Sequence, residues 1–421
     1  MKLGGFSRRN FLFLQGPHGP FFHRLGAALA EIGHGVHRIN LNGGDRRDWP
    51  SDAVNFTGRP AAWPIFFDRF ITRHEITDLV LFGDCRPMHR AAHGMAHLRQ
   101  IRIHVFEEGY IRPDYVTLEL DGVNGNSSLS RDPDHYLRAA ATLPPIVEHP
   151  PVASSFARRA REAVSYYLAT AAGRTSFPHY RSHRPISAGM EMLGWARRFA
   201  SRTQERARSA AALKRIEGAE FFCFPLQLDS DHQIRVHSPF GNMKVAIRYV
   251  MESFARAAPP EALLLLKQHP LDPGLIGWRR FIQEEAVKHG LADRAIYLED
   301  ADVAPIIEAA RGVVTVNSTT GTLALRKGVP TAVLGHAVYH MPRITHQGTL
   351  DEFWRRPVPP EADVYDAFCR VLVDRCLIHG GFLSEAGLDH LVRGAVERLT
   401  SDEQGWTVSL GSRLARSGAA G

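Results

Sequence analysis

Residues 11–40 read FLFLQGPHGPFFHRLGAALAEIGHGVHRIN, and this stretch decides the fold class. A short apolar run is followed by a turn rich in glycine and proline, and apolar side chains then recur at helical spacing from Pro20 to Ile32. Gly33 ends the predicted helix, and a second strand is predicted at Gly35–Asn40. A strand, a helix and a strand in this order predict a parallel α/β sheet.

The same alternation continues along the chain and begins again after residue 220. Further strands are predicted at Thr77–Phe82, Ile101–Phe106, Phe221–Leu228, Leu263–Leu266, Val313–Val316 and Thr331–Leu334, with helical segments from about Asp363 to Leu399. The strands of the second half are continuous apolar runs, which is the pattern of strands buried on both faces of a parallel sheet. We therefore predict an α/β fold of the GT-B-like class, with two Rossmann-like lobes facing a central cleft.

Changes in composition divide the chain into four predicted parts. Residues 1–145 form an N-terminal Rossmann-like acceptor lobe, and residues 218–400 form a C-terminal Rossmann-like nucleotide-sugar lobe. Residues 146–217 form a helical, basic inter-domain region with proline-rich edges, and residues 401–421 form a flexible tail. Ligands of open α/β sheets bind at the carboxyl ends of the strands, so the polar motifs that follow the strands make up the candidate site.

The charge of the chain predicts an anionic partner. The 421 residues carry a net charge of +7, and the pI is near 9.4. Residues 151–220 hold 13 Arg or Lys against 5 Asp or Glu, so this region accounts for the excess. It is either a solvated pair of basic helices or a helical surface that docks on anionic lipid. No signature of a nucleic-acid-binding fold accompanies it, and we expect no nucleic acid partner.

The apolar runs and the cysteines indicate a cytoplasmic protein. No apolar run reaches 18 residues, so no membrane-spanning segment is predicted, and the apolar residues near the N-terminus are too few for a signal peptide. The four cysteines show no CxxC spacing. They are typical of reduced, mostly buried thiols and not of a disulfide framework or a zinc site.

Two motifs of the first lobe follow predicted strands. Gly16 and Gly19 lie at a strand-to-helix turn, where glycine permits close approach of a ligand and the helix N-terminus favours anions. The alternative is a plain tight turn. Glu107 and Glu108 end an apolar strand, and one of the two is a candidate general acid/base, with Arg112 to orient it or to bind an anionic group. The alternative is a pair of exposed acids.

The first motif of the second lobe is PLQLDSDHQI, residues 225–234. Asp229 and Asp231 formally make a DxD pattern, which in GT-A enzymes holds a divalent ion against a nucleotide diphosphate. Because the rest of the chain argues for two lobes, we favour a catalytic carboxylate over a metal ligand, and we expect neither a metal nor another cofactor. Gln227 in the same motif is a candidate substrate-binding residue.

Two further motifs of the second lobe fit a phosphate. Lys267, His269 and Pro270 belong to KQHP at the end of an apolar strand, where the imidazole can donate to a phosphate oxygen and the proline fixes the exit turn. The other motif is a run of small polar residues between an apolar strand and a helix: Asn317, Ser318, Thr319 and Thr320. Such residues cap the helix and also present donors to a phosphate, whereas capping alone needs only one of them.

Taken in order, these motifs resemble the capsule polysaccharide biosynthesis/export family of the KpsS/LipB type. The matching stretches are GPHGPFF, INLNGGD, FEEGYIRPDYVTLE, PLQLDSDHQI, KQHP and NSTTGTLAL, between roughly residues 10 and 350. Members of this family are similar to β-Kdo transferases. The resemblance implies retaining transfer of β-Kdo from CMP-Kdo to a (lyso)phosphatidylglycerol-type lipid acceptor at the inner leaflet, which starts the capsule polysaccharide linker. It also implies peripheral association with the inner membrane, alongside other capsule assembly proteins.

The resemblance also implies roles for single residues. Asp231 would be the nucleophile and Glu107 the base on the acceptor hydroxyl, with Glu108 and Asp229 as the adjacent rivals. His269 and residues 318–320 would hold the CMP phosphate. The carboxylate of Kdo needs a cationic partner, and the candidates are Arg112, Arg235 and Lys267, of which Arg112 is favoured by its place in the motif.

Two other functions stay open at this point. A related GT-B transferase that uses CDP-glycerol or a UDP-sugar would carry the same phosphate motifs, and only covalent retention requires Asp231. A non-catalytic component of the capsule assembly and export complex is disfavoured, because a scaffold does not need Glu107, Asp231 and His269 together.

Overall fold

The computed structural model describes residues 8–401 except residues 183 and 185. The chain divides into two compact units: the first contains residues 1–128, 145–183 and 372–421, and the second contains residues 129–144 and 184–371. The predicted inter-domain region, 146–217, is thus divided between the two units, and the described end of the chain belongs to the first. The predicted flexible tail lies outside the described residues beyond Ser401.

Strands and helices alternate along most of the described chain. The strands are β1 Asn10–Phe13, β2 Gly35–Asn40, β3 Val54–Asn55, β4 Asp78–Phe82, β5 Arg102–Glu108, β6 Tyr115–Leu120, β7 Phe221–Pro225, β8 Leu263–Lys267, β9 Ala295–Leu298, β10 Gly312–Thr315, β11 Thr331–Val333 and β12 Leu377–His379. The α-helices are α1 Phe21–Glu31, α2 Gly43–Asp48, α3 Trp63–Arg73, α4 Pro87–Leu98, α5 Pro133–Ala140, α6 Phe156–Ala172, α7 Ala188–Ile216, α8 His232–Arg235, α9 Met243–Ala257, α10 Trp278–Lys288, α11 Val303–Ala309, α12 Thr320–Arg326, α13 Leu350–Arg355, α14 Ala362–Arg375 and α15 Glu385–Thr400.

The first unit is built on a sheet with the strand order β12-β6-β5-β4-β1-β2-β3. The strands from β5 to β3 in this order run parallel, as predicted, but β6 and β12 are antiparallel to their neighbours. Strand β12 lies inside the segment predicted to be helical, and that prediction is wrong for these residues. A run of three residues has too little periodicity to reveal a strand, and only its pairing with β6 defines it.

The second unit is built on a fully parallel sheet with the strand order β11-β10-β7-β8-β9. Successive residues of β7 enter different cores: Phe222 and Phe224 pack on one face of the sheet, and Phe221 and Cys223 pack on the other. This double burial explains the continuous apolar runs. Strand β7 ends at Pro225 and not at residue 228 as predicted, because the chain must turn before helix α8. Two Rossmann-like units confirm the predicted GT-B-like fold class.

Helix α6 of the basic region packs on helix α2 of the first unit. A Cβ atom built on Gly43 would lie 2.1 Å from the carbonyl oxygen of Ala169, and one built on Gly44 would lie 2.6 Å from the ring of Tyr166. The glycines of the INLNGGD stretch therefore admit a neighbouring helix. The Asn42 side chain accepts the N–H of Asp45 and caps α2, so this stretch begins a helix.

The Tyr166 hydroxyl connects α6 to both loops that precede α1 and α2. It accepts hydrogen bonds from Gln15 Nε2 at 2.6 Å and from Asn42 Nδ2 at 2.8 Å, and it donates to Asp45 Oδ1 at 2.9 Å. All four side chains are buried. A buried network of this kind is stable only when its members are satisfied, so α6 is an integral part of the first unit.

The four cysteines, all within the described residues, are thiols and not disulfides, as predicted; Cys223, Cys369 and Cys376 are buried, and Cys85 is half-buried. Among the described helices, none has both the length and the apolar character that crossing a membrane requires.

The packing of α6 on α2 predicts the effect of Gly43→Ala. The added methyl group meets a backbone oxygen, so we expect the free energy of unfolding to fall by about 1–3 kcal/mol. Gly94→Ala in α4 is the matched control, because nothing lies within 4 Å of a Cβ atom there. The control is expected to be neutral or to stabilise by up to about 1 kcal/mol. Urea unfolding measures both; equal effects of the two substitutions would contradict this packing.

Candidate functional site

The loop between β1 and α1 contains the two glycines that were predicted to approach a ligand. A Cβ atom built on Gly16 would lie 2.8 Å from the ring of Phe22, so the loop packs directly on α1. Gly19 has a φ of +101°, and its N–H donates to Asp48 Oδ2 at 2.9 Å. Both positions thus have a structural reason for glycine, and their part in ligand binding stays a prediction.

Glu107 and Glu108 are the last residues of β5, and their surroundings differ. Glu108 Oε1 lies 3.1 Å from Arg159 Nη2, and Glu108 Oε2 lies 3.8 Å from Arg112 Nη1. Burial acts to raise the pKa of Glu108, but the two arginines outweigh it and hold that pKa below its usual value. Glu107 Oε1 instead accepts the N–H of Glu108 at 3.0 Å. An ionised, arginine-bound Glu108 is a poor proton carrier, which favours Glu107 for acid/base work.

Asp229 and Asp231 lie in the turn that follows β7. Asp229 Oδ1 accepts the N–H of Met243 at 2.7 Å, in the first turn of α9. Asp231 is half-buried; it caps α8 and accepts the N–H of Gln233 at 2.9 Å. Asp229 therefore fastens the turn to α9, whereas Asp231 lies at the start of the short helix that the turn leads into.

Gln227 and Asn317 form a reciprocal amide pair between the ends of β7 and β10. Gln227 Nε2 donates to Asn317 Oδ1 at 2.9 Å, and the Asn317 N–H donates to Gln227 Oε1 at 3.1 Å. Asn317 Nδ2 also donates to Gln233 O at 2.8 Å and to His237 O at 3.0 Å. Both side-chain N–H groups of Asn317 are thus engaged around α8, the helix that Asp231 caps. We infer that Gln227 and Asn317 position the loops of the site. The sequence had instead predicted that these two residues contact the substrate.

The three candidate cations for a substrate carboxylate differ in exposure. Lys267 is 3% exposed, its Nζ donates to Gln268 O at 3.1 Å, and burial lowers the pKa of its amine. Arg112 has 48% of its side chain exposed, and its Nε donates to Gly109 O at 3.3 Å. Arg235 is exposed at the end of α8. The buried amine is the least suited of the three to meet an anion that arrives from solvent.

The HP motif holds its histidine in one tautomer. His269 Nδ1 accepts the N–H of Leu271 at 3.0 Å, so the neutral ring carries its proton on Nε2. Nε2 is then the donor that a phosphate oxygen requires. Pro270 is exposed, and its carbonyl oxygen accepts a hydrogen bond from Arg198 Nη1 at 2.8 Å.

Ser318, Thr319 and Thr320 are half-buried at the start of α12. Ser318 Oγ accepts the N–H of Thr320 at 3.1 Å, and the Tyr339 hydroxyl donates to Ser318 O. A Cβ atom built on Gly321 would lie 2.2 Å from the Tyr339 oxygen, so the glycine is needed for that contact. The loop before α12 is thus fixed in shape by its own residues and by Tyr339.

Two arginines that the sequence did not single out support these loops. Arg198 of α7 donates to the carbonyl oxygens of Pro270 and Asp272, at 2.8 and 2.6 Å. Arg131 donates to Ala337 O in the loop after β11. Neither arginine lies near a motif in sequence, so only the folded chain identifies them.

The predicted residues fall into two groups. The second-lobe motifs follow β7, β8 and β10, which are neighbours in one parallel sheet, so they meet at its carboxyl edge. Glu107, Glu108, Arg112 and the two glycines belong to the first unit. Because Glu107 and Asp231 lie in different units, their catalytic pairing stays a prediction.

Comparison with known proteins gives the family. Residues 77–383 match the profile of the family described as capsule polysaccharide biosynthesis protein. The capsule polysaccharide modification protein LipB of Neisseria meningitidis is 36% identical over 394 residues, which cover 90% of this chain and 93% of LipB. The capsule polysaccharide export protein KpsS of Escherichia coli is 34% identical over 370 residues, which cover 86% of this chain and 94% of KpsS.

Among solved structures, the β-Kdo 2,7 transferase KpsC of Thermosulfurimonas dismutans matches with a TM-score of 0.42 and 14% identity, covering 91% of this chain and 99% of that one. The profile match and the two sequence relatives, each spanning most of the chain, establish kinship. The chain belongs to the capsule polysaccharide biosynthesis family of the KpsS/LipB type.

The burial of Asp48 predicts a pH effect, which the hydrogen bond from Gly19 and the neighbouring Arg47 only partly oppose. Burial raises the pKa of Asp48 to about 6, above the value of about 3.9 for an unfolded chain. The folded state therefore binds more protons between these values, and this group makes the protein less stable as the pH rises through them. Asp48→Asn is expected to gain roughly 2–3 kcal/mol over wild type near neutral pH, and less towards pH 4. Thermal melting across this range measures the gain; a gain that does not change with pH would contradict it.

The amide pair predicts that Asn317→Ala destabilises the second unit. The substitution leaves Gln227 Nε2 and two carbonyl oxygens without these hydrogen bonds, whereas the backbone N–H of residue 317 still donates to Gln227 Oε1. We expect the free energy of unfolding to fall by about 3 kcal/mol in urea. Thr319→Ala is the control, since that side chain makes no capping hydrogen bond, and it is expected to change stability by less than about 0.5 kcal/mol. Unchanged stability of Asn317→Ala, with weakened nucleotide binding, would instead favour direct substrate contact.

Proposed function

We propose that this protein is a retaining glycosyltransferase that moves β-Kdo from CMP-Kdo to a (lyso)phosphatidylglycerol-type lipid acceptor and so starts a capsule polysaccharide linker. The observation that carries the proposal is the coupling of Asp231 to the loop before α12. Asn317 begins that loop, and its side chain holds the carbonyl oxygens of Gln233 and His237 around α8. The Asn317 side chain thus fixes the proposed nucleophile and the proposed phosphate-binding loop relative to each other. This arrangement suits a donor that both must contact.

The donor half of the reaction uses the second unit. Asp231 attacks the anomeric carbon of Kdo, the bond from that carbon to the CMP phosphate oxygen breaks, and CMP leaves with the electron pair. His269 Nε2 and the hydroxyl groups of Ser318 and Thr320 donate to the phosphate as its charge develops. Asp229 and Asp231 each accept one backbone N–H, from Met243 and from Gln233, so the choice of Asp231 as nucleophile rests on the resemblance to β-Kdo transferases.

The acceptor half of the reaction uses Glu107. It takes the proton from the acceptor hydroxyl while that oxygen attacks the anomeric carbon, and the bond to Asp231 breaks. Two displacements at one carbon leave its configuration unchanged, which is the retaining outcome. Glu108 is the weaker base, since Arg112 and Arg159 hold the pKa of its carboxyl low. Arg112, exposed and beside this acid, is the proposed partner of the Kdo carboxylate.

The proposal also includes the cellular location of the reaction. A lipid acceptor requires the protein to work at the inner leaflet, as a cytoplasmic protein bound peripherally to the inner membrane and with other capsule assembly proteins nearby. No step uses a metal ion, so EDTA is expected to leave the activity unchanged. The name of the relative KpsS, capsule polysaccharide export protein, favours a second candidate function as a non-catalytic component of the export complex.

The test is intact mass spectrometry after incubation with CMP-Kdo that is generated in situ. Wild type and Glu107→Gln are expected to gain one Kdo mass, with more adduct in Glu107→Gln because its second displacement is slowed. Asp231→Ala is expected to gain none. Asp229→Asn and Glu108→Gln are the matched controls; Asp229→Asn keeps an oxygen that accepts the Met243 N–H, and both controls should still form the adduct.

Other results would redirect the proposal. An adduct that persists in Asp231→Ala would move the nucleophile to another residue. Neither adduct nor CMP release in the presence of a phosphatidylglycerol acceptor would point to another donor, such as CDP-glycerol or a UDP-sugar, or to the non-catalytic role. Thermal stabilisation by CMP, and not by UDP, would distinguish a cytidine-nucleotide donor from a UDP-sugar.

A further inference from the structure

Helix α7 belongs to the second unit, and several of its polar side chains contact the rest of that unit. Arg208 binds both carboxylate oxygens of Glu299, with each N–O distance 2.9 Å, and Ser209 Oγ accepts the N–H of Asp300 at 3.0 Å. Near the other end of the helix, Arg198 donates to the carbonyl oxygens of the loop that follows His269. The inner face of α7 is therefore held by ion pairs and hydrogen bonds over residues 198–209, and by Ala212 and Ile216, which are buried in the core, near its C-terminal end.

The outer face of the N-terminal half of α7 is apolar. Met192, Leu193 and Phe199 have exposed fractions of 63%, 54% and 58%, and Ala196 and Ala200 between them are also exposed. These positions follow one another at three- and four-residue steps, so they form one continuous strip along the helix. A helix on a protein surface ordinarily has the opposite arrangement, with its apolar side inward. An exposed apolar strip of this kind marks an interaction surface.

Basic and aromatic side chains border the strip. Arg197 and Arg202 are exposed, and among the described residues neither has an acidic side chain within ion-pair distance. The Trp195 ring lies 6.0 Å from the Phe199 ring, and the Arg198 guanidinium lies 5.4 Å from the Trp195 ring centre. Arginine and tryptophan beside an apolar strip are the composition of helices that lie in the interface of a bilayer.

The acidic side chain at the N-terminal end of α7, Glu191, is paired with Arg184 at 3.1 Å, and further acidic side chains lie beside the other half of the helix. A groove of about 560 Å³ runs beside residues 206–218, and Glu217, Asp300 and Asp302 contribute to its lining. Carboxylates repel an anionic surface, so contact with such a surface is confined to the N-terminal half of the helix. That half is the part with exposed apolar side chains and unpaired arginines.

We propose that the outer face of α7 over residues 190–203 docks on an anionic phospholipid bilayer. A protein partner fits less well, because a stable protein interface needs about 800 Å² from each side, far more than this strip of a few side chains offers. Bilayer docking needs only shallow insertion of the apolar side chains and attraction of the arginines to lipid phosphates. The lipid surface follows from the helix itself; only its link to the acceptor rests on the proposed function.

The two faces of α7 connect the bilayer to the donor site. Arg198, on the inner face, holds Pro270 and Asp272, and these residues flank the turn in which Leu271 fixes the tautomer of His269. Docking of the outer face would therefore place the loop of His269 at a fixed distance from the lipid surface, one helix diameter away or about 10 Å. A lipid acceptor would then reach the second unit from the side of α7.

The experiment measures binding of the full chain to sedimenting vesicles of phosphatidylcholine, with and without phosphatidylglycerol. The double variant Met192→Asp/Phe199→Asp is expected to lose binding to both vesicle types by at least about 100-fold, since two apolar insertions are replaced by charges. Arg197→Gln/Arg202→Gln is expected to bind phosphatidylglycerol vesicles about 30-fold more weakly, because each arginine contributes about fivefold near an anionic surface. Val287→Asp in α10, where the side chain is 69% exposed, is the matched control and should bind as wild type.

The inference is overturned if the Met192→Asp/Phe199→Asp variant binds vesicles as wild type does, or if the wild-type chain binds none. If Met192→Asp/Phe199→Asp loses binding and also melts at a lower temperature, the arginine variant decides the outcome, because it removes no packed side chain. Failure of the glycosyltransfer proposal is separable, because vesicle binding needs no donor and Asp231→Ala should bind vesicles fully. With CMP-Kdo, the α7 variants should transfer normally to a detergent-dispersed acceptor and poorly to one in vesicles.

Discussion

The pairing of two buried amides, Gln227 and Asn317, is the constraint on which the candidate site depends. Burying an amide is unfavourable unless its hydrogen bonds are replaced. Here the Gln227 side chain donates to the Asn317 side chain and accepts the backbone N–H of Asn317, across the ends of two adjacent parallel strands. The side-chain N–H groups of Asn317 donate to the backbone oxygens of Gln233 and His237 around α8. The turn that carries Asp231 and the loop that carries Ser318 therefore cannot move independently, although about 90 residues separate them in the chain.

The sheets and the location of the motifs could be predicted from the sequence, because strands buried on both faces leave continuous apolar runs. The polar motifs had to lie at the carboxyl ends of those strands, and they do. Two kinds of feature were not predicted: the strands β3, β6, β9 and β12, and the division of the basic helices between the two units. The three residues of β12 are too few to show a periodic pattern of apolar side chains. The sequence of the basic helices does not indicate that α6 belongs to one unit and α7 to the other. That assignment depends on Tyr166 and Arg198, whose partners are distant in sequence.

The roles of neighbouring acids show where sequence reasoning stops. Glu107 and Glu108 are residues of the same type in one motif, and so are Asp229 and Asp231, so the sequence alone cannot separate the members of either pair. Alternation along β5 separates the first pair, so that Arg159 and Arg112 lie beside the carboxylate of Glu108. The second pair is separated by α9, whose first turn takes up Asp229. The arginines give Glu108 a structural role that Glu107 lacks, whereas Asp229 and Asp231 both accept a backbone N–H at a helix start. The choice between the two aspartates therefore still rests on the resemblance to β-Kdo transferases.

The charge of the basic region also has a different meaning in the structure than in the sequence. Arg208 and Arg198 are committed to a carboxylate and to carbonyl oxygens of the second unit, and Arg159 is committed to Glu108 in the first. A count of arginines therefore overstates the positive charge that a partner would meet. What distinguishes Arg197 and Arg202 is their position beside exposed Met192 and Phe199. Attraction to an anionic surface depends on such local arrangement within a Debye length, and net charge alone does not determine it.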